Sequence, residues 1–377
     1  MRRPAAARVP ALVGAMGLAV VGLLAAAGAT PAAETAGFTT TVFAPGGGSL
    51  NLSKPDDIAF MHRSIFVSWQ NGVGPKGEPA ANGNLFSTVA QYSLSGRLLN
   101  HWQLKGRCDG MTADTQHERI IATVNEDGSS SLYVIKLSDG PQLVHYAYSP
   151  NPPVHGGGTD APLIYRGQLF ISASNPSDVS NPAVYRARLS GTTATLTPVF
   201  FDNSIARVAN ANDPAHGTQT TLALTDPDSN FAVPRSSPRF AGDFVLDSQG
   251  DGQLIFAHDP GGADQKLAVL SLSSEAGPAG ASTAVDDTVW ATSSRGTLFA
   301  TDGSTTVYAI RGDFKVGTAF SAVSPGNAGT PPATSIPNFL AALDLNTGAL
   351  TRVAGVTIQP KGLVFVRGDG GDHEGDA

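Results

Sequence analysis

A single cysteine, Cys108, stands in 377 residues, so no disulfide can staple this chain internally. Packing or a bound ion must stabilise it instead. Charge is also scarce. Only 15% of residues are charged, the formal net charge is −7, and no basic stripe occurs. That balance excludes nucleic acid as a partner. Beyond residue 33 no window of more than about 12 residues shows a clean 3.6-residue apolar period, which excludes a helical architecture. What the chain has instead is 43 glycines and 26 prolines, the composition of a β-rich, turn-rich protein.

Residues 1–33 have the layout of a secretory signal peptide. Arg2, Arg3 and Arg8 precede an apolar run over 11–27, and Ala27-Gly28-Ala29 offers a small-residue cleavage site. The expected product is secreted, extracellular or periplasmic, with no membrane contact after signal removal. Residues 34–366 are expected to form one domain and a monomer. Residues 367–377 read as a disordered acidic Gly-rich tail.

Six short apolar runs follow an acidic or turn-type pair. They start at Pro55-Asp56-Asp57-Ile58, Cys108-Asp109-Gly110-Met111, Gly158-Thr159-Asp160-Ala161, Asp226-Pro227-Asp228-Ser229-Asn230, Val285-Asp286-Asp287-Thr288 and Gln359-Pro360-Lys361-Gly362. Their spacing, about 50 to 75 residues, is that of one four-stranded sheet with its turns. The pattern predicts an all-β fold, a six-bladed β-propeller with seven blades as the alternative. Strands at 38–43 and 362–366 are expected to close it from both termini. The fifth unit is expected to run from Asp286 through 298–301 and 306–310.

In a propeller the innermost strands line a central channel, so their first residues share one mouth. Asp57 (with Asp56), Asp109, Asp160, Asp228 and Asp287 (with Asp286) should converge there. Two carboxylates ~6 Å apart repel by roughly 3 kcal/mol at an effective dielectric of ~20. Raised pKa values, water or a cation must relieve this. An all-oxygen site suits Ca²⁺ first and another divalent cation such as Mg²⁺ second. The competing role for each Asp is to cap its own turn. The sixth start carries Lys361, whose counter-charge is the alternative to a metal. His155, in Val154-His155-Gly156-Gly157-Gly158-Thr159-Asp160, is placed to act as a general base beside the acids. The alternative is a solvated His in a flexible turn. No G-x-S-x-G elbow occurs, which excludes a lipase-type site. Residues 247–252 resemble a calcium loop only in part. His258 replaces the twelfth-position Glu, so a hairpin turn is expected. Cys108 is expected to be a buried thiol, and Trp69, Trp102 and Trp290 to be packing residues.

Asp109-Gly110-Met111-Thr112-Ala113-Asp114 resembles the inner-strand signature of the senescence-marker-protein/gluconolactonase family, a signature shared with NHL-repeat propellers. The whole chain also looks like a group of uncharacterised secreted bacterial propellers. By this resemblance Asp109 would help hold a divalent cation, commonly Ca²⁺, at the channel mouth. The family's Glu-Gly-Pro start is replaced here by Pro55-Asp56-Asp57, and only Asn230 offers itself for its Asn-bearing starts. The resulting expectation is a divalent-metal-dependent hydrolase of a small ester or lactone. Asp57, Asp109, Asp160, Asp228 and Asp287 would hold the ion and His155 would assist a water. The alternative is a non-catalytic propeller that binds an extracellular glycan, peptide or protein through long loops at 70–87 and 203–220.

Overall fold

The computed structural model describes residues 37–138, 142–175, 180–274, 283–324 and 337–368. The expected signal peptide lies outside them, as does the tail from residue 369 onward. Among the described residues the only helices are three short 3-10 turns.

The strands form six antiparallel blades. Blade 1 is Pro55–Met61, Ser64–Trp69, Phe86–Ser93 and Leu98–Lys105. Blade 2 is Cys108–Asp114, Arg119–Val124, Ser131–Lys136 and Gln142–Ser149. Blade 3 is Pro162–Tyr165, Gln168–Ser172, Pro182–Ser190 and Thr193–Phe201. Blade 4 is Pro227–Ala232, Phe244–Ser248, Gln253–His258 and Lys266–Ser271. Blade 5 is Ala284–Trp290, Ala319–Ser324, Phe339–Leu343 and Ala349–Arg352. Blade 6 is Pro360–Arg367, Arg295–Asp302, Thr306–Asp313 and Thr39–Pro45. Each first-named strand packs against the first-named strand of the next blade, and the sixth returns to the first. The chain is therefore an all-β, six-bladed propeller with these six strands around its axis.

Burial explains why the strands are apolar on both faces. Every residue of Ser64–Trp69 is buried, because a blade is sandwiched between two others. The core accordingly divides into six apolar clusters, one per seam. Phe60, Trp69, Tyr92 and Phe299 fill the seam between blades 6 and 1. Trp290 fills that between blades 4 and 5, with its indole N–H donated to Ser237 Oγ at 3.1 Å. Trp102 and Cys108 share the seam between blades 1 and 2. Burial, with the Asp109 charge second, pushes the Cys108 thiol well up, so it is an inert packing group.

Closure from both termini holds, since Thr39–Pro45 and Pro360–Arg367 are the outer and inner strands of one blade. The expected fifth unit needs correction. Arg295–Asp302 and Thr306–Asp313 leave blade 5 and supply the middle of blade 6. Gly296 permits this, because a Cβ there would lie 2.4 Å from the Phe365 ring and 2.7 Å from the Val366 carbonyl. The stretch at 203–220 is likewise built into the fold. Ile205–Val208 adds in parallel to the outer strand of blade 4 and carries Gln219–Thr221 beside it.

Candidate functional site

Near the start of each inner strand, and just before it in blade 3, one residue reaches the axis. These are Asp56, Asp109, Asp160, Asp228, Asp286 and Lys361, one per blade, and all six line a cavity of about 120 Å³. The residues that follow them form a second layer in the same wall: Asp57, Gly110, Ala161, Ser229, Asp287 and Gly362. In a regular strand two consecutive side chains point to opposite faces. Here the pairing slips at these positions in five of the six blades, between Pro55 and Ile58, Cys108 and Met111, Pro227 and Asn230, Val285 and Asp287, and Pro360 and Leu363. The resulting β-bulges turn both residues toward the channel.

The bulges lie close together, which is why the second layer is mostly small. A Cβ on Gly110 would sit 2.3 Å from Ala161 Cα, and one on Gly362 would sit 2.5 Å from the Asp56 carbonyl. Hydroxyls on the second strands of three blades reach the start of the next inner strand. Thr123 Oγ1 donates to the Asp160 carbonyl (2.5 Å), Ser172 Oγ to that of Asp228 (2.5 Å) and Thr301 Oγ1 to that of Asp56.

All five acids expected at the mouth are in this wall, but they are spent in different ways. Asp57 accepts the N–H groups of Ile58 (2.6 Å) and Met111 (2.5 Å), so it clamps blade 1 to blade 2. Asp287 accepts those of Thr288 (2.7 Å) and Leu363 (2.7 Å), clamping blade 5 to blade 6. Asp109 is held by Arg107 Nε at 2.8 Å and Gln70 Nε2 at 3.1 Å. Asp160 faces Asp228, Glu126 and Asp109, and the charges of Glu126 and Asp109 add to its burial in raising its pKa. Burial beside other acids favours the protonated form of such a group. Lys361 pairs with Asp56 at 3.0 Å.

The electrostatics follow. Burial raises Asp109, Asp160, Asp228 and Asp286, and charges within the cluster add to it. Burial pushes Asp287 up to about 7 against the pull of its two N–H donors, and raises Asp57, with Asp287 the next cause. Lys361 is pushed up, first by Asp56, so its ammonium is permanent. Arg107, with Nη1 2.8 Å from Glu126, is likewise held charged by Asp109 and Glu126 despite its burial.

These contacts do not make a divalent-cation cage. Two of the five expected ligands already serve the backbone, one serves Arg107, and burial holds the other two toward their protonated form. An ammonium occupies the sixth position of the ring. Among the described residues no group of three or more His, Cys, Asp or Glu is arranged to hold an ion.

His155 is a second correction. Its ring is fully buried and is not part of the cavity wall. Nε2 donates to the Gly158 carbonyl at 2.6 Å, and Nδ1 meets the Tyr185 hydroxyl at 2.8 Å. Burial pushes its pKa down, so it is a neutral brace for the loop before Asp160. The glycines serve close approach, since a Cβ on Gly158 would lie 2.2 Å from the Glu126 carbonyl. Residues 247–252 are the expected hairpin turn, closed by Gly252 at φ +57°.

Arg107, Glu126 and Gln249 also line the mouth, and sequence reasoning missed them. The only signal was proximity, since Arg107 stands two residues before Asp109. Glu126 lies in the turn between Arg119–Val124 and Ser131–Lys136, where its local sequence points to nothing.

The sequence matches no protein-family model and no curated protein. Among solved structures the chain is similar to a Pseudomonas aeruginosa periplasmic gluconolactonase, with 16% identity, a TM-score of 0.42, and coverage of 83% of this chain and 88% of that one. It is similar to a Lactobacillus plantarum protein, with 15% identity, a TM-score of 0.44 and coverage of 84% and 89%. A Bacteroides caccae protein of unknown function gives 8% identity, a TM-score of 0.45 and coverage of 83% and 87%. The fold follows from the strand order itself.

Proposed function

We propose that the protein is an exported hydrolase of a small ester or lactone, with the acidic ring as its reacting centre. One arrangement supports this reading: Glu126, Asp160 and Asp228 form a string of acids in a wall that also presents the cations Arg107 and Lys361. An ionised member of the string takes the proton of an attacking water. A protonated member gives its proton to the departing alkoxide. Ester and water thus become acid and alcohol with no proton left over. Lys361 and Arg107 face the oxygen on which negative charge develops. No step passes through a metal or through His155.

The test is turnover of aliphatic γ- and δ-lactones and p-nitrophenyl acetate by the mature protein in EDTA. Asp160→Asn and Asp228→Asn are expected to lower kcat by about 10²-fold or more while KM and the melting temperature hold. Turnover no faster than buffer across the panel, or unchanged in both variants, would overturn the hydrolase reading.

A further inference from the structure

The channel does not end at the ring. On the far side of the second layer it widens into a cavity of about 460 Å³, within the range of small-molecule sites. Asp57, Ala161, Ser229 and Asp287 line both cavities and form the neck between them. Beyond the neck the wall is largely apolar, with Phe60, Met111, Leu163, Phe231 and Val364. We propose that this wide end is a second binding site, which takes a small hydrophobic ammonium. Its apolar body would lie between the inner strands and its cation against Asp57 and Asp287.

Three observations carry the assignment. First, the neck places two carboxylates at the base of an apolar cavity. Their oxygens accept backbone N–H groups, but each oxygen keeps a further lone pair. Second, three polar side chains of this wall, Thr115 Oγ1, Asn230 Oδ1 and Thr292 Oγ1, have no hydrogen-bond partner. Asn230 is only 9% exposed. Its Nδ2 donates to the Ala161 carbonyl at 2.7 Å, which fixes the amide so that its oxygen is the unpaired atom. Third, Phe60 and Phe231 offer aromatic surface to the apolar body. The cation in the wall, Arg166, sits in the turn between the first two strands of blade 3, bonded to the Gly242 carbonyl at 3.1 Å and stacked over Tyr165 at 5.0 Å. From Asp57 to Phe60 is three strand residues, roughly 10 Å, which matches a six-carbon chain.

Calorimetric titration of the mature protein at pH 8 with hexylammonium, ethylammonium, 1-hexanol and hexanoate tests this. Hexylammonium is expected to bind at least tenfold more tightly than each of the others. Ala113→Phe fills the cavity from its wall and should weaken hexylammonium at least tenfold while leaving lactone turnover intact. Ala232→Phe does the same from another blade, should Ala113→Phe fail to fold. Equal affinity for hexylammonium and hexanol would overturn the role of the neck carboxylates. Binding that survives both fillings, or that ethylammonium matches, would place the cation on the ring and overturn the site. No heat at millimolar ligand would overturn it outright.

Discussion

Lys361 and Asp56 meet at 3.0 Å across the seam where the last blade joins the first. The lysine is the one residue of the first layer that is not an acid. It neutralises Asp56 directly and opposes the raised pKa of Asp286. It therefore does what a bound cation would do in a ring of six acids.

Lys361→Asp should expose that substitution of roles. Without ligand the variant is expected to lose about 1–3 kcal/mol, between the values for exposed and buried pairs, because the lysine side chain is 35% exposed. Added Ca²⁺ should then restore stability. An ion at ~100 times its dissociation constant adds about 2.7 kcal/mol. The natural chain is expected to melt at the same temperature in EDTA and in Ca²⁺. A Ca²⁺-dependent rise in the natural chain would show that a cation competes with the lysine and the acids' protons.

The acids also set a pH dependence. Asp226 is pushed up to about 6 and Asp287 to about 7, each chiefly by burial, against an unfolded value near 3.9. A group that holds its proton more tightly when folded stabilises fully below its unfolded pKa. That stability drains as pH rises through the folded pKa. The loss therefore runs from about pH 4 through 7. Facing Asp287 are Asp57 across the neck, Asp286 beside it, Asp247 from the second strand of blade 4, and Lys361. His155, pushed down by burial, acts with the opposite sign, favouring folding above its unfolded value near 6.5. The carboxyls outnumber it. Melts are expected to be higher at pH 5 than at pH 8 by about 5 °C or more. A flat or inverted profile would mean that the buried acids ionise without cost.

Asp247 occupies the position that Ser68, Thr123, Ser172 and Thr301 hold in four other blades, opposite the bulge. Those hydroxyls bond to the bulge backbone, whereas neither Asp247 oxygen has a hydrogen-bond partner. Burial, and then Asp287, raises its pKa. Asp247→Thr should stabilise the protein at pH 8 by about 1–3 kcal/mol, the cost of an unsatisfied buried polar group. The gain should shrink at pH 5. Destabilisation at both pH values would show that the carboxyl has a role that a hydroxyl cannot fill.

The ring was legible because five of its six members are acids before an apolar run. The choice between Asp56 and Asp57, or Asp286 and Asp287, was not, since a bulge overrides strand alternation and lets both face the channel. Arg295–Asp302 has the same local pattern in either blade, and only its pairing with Pro360–Arg367 decides its place. Glu126 reaches the mouth through the close approach of Gly158 to its backbone, a contact between distant segments. His155 is next to the acids in sequence, but the Gly158 carbonyl and the Tyr185 hydroxyl hold it inside the wall.

Blade 6 has a consequence for the order of assembly. Its four strands come from three separated stretches, and Thr39 pairs with Arg311 while Gly296 pairs with Arg367. Its inner strand is also the segment that brings Lys361. Until that segment arrives the acids have only Arg107 in the wall to oppose their charge. Closing the circle and supplying its balancing charge are thus one event, and it waits for the last stretch of the propeller to dock.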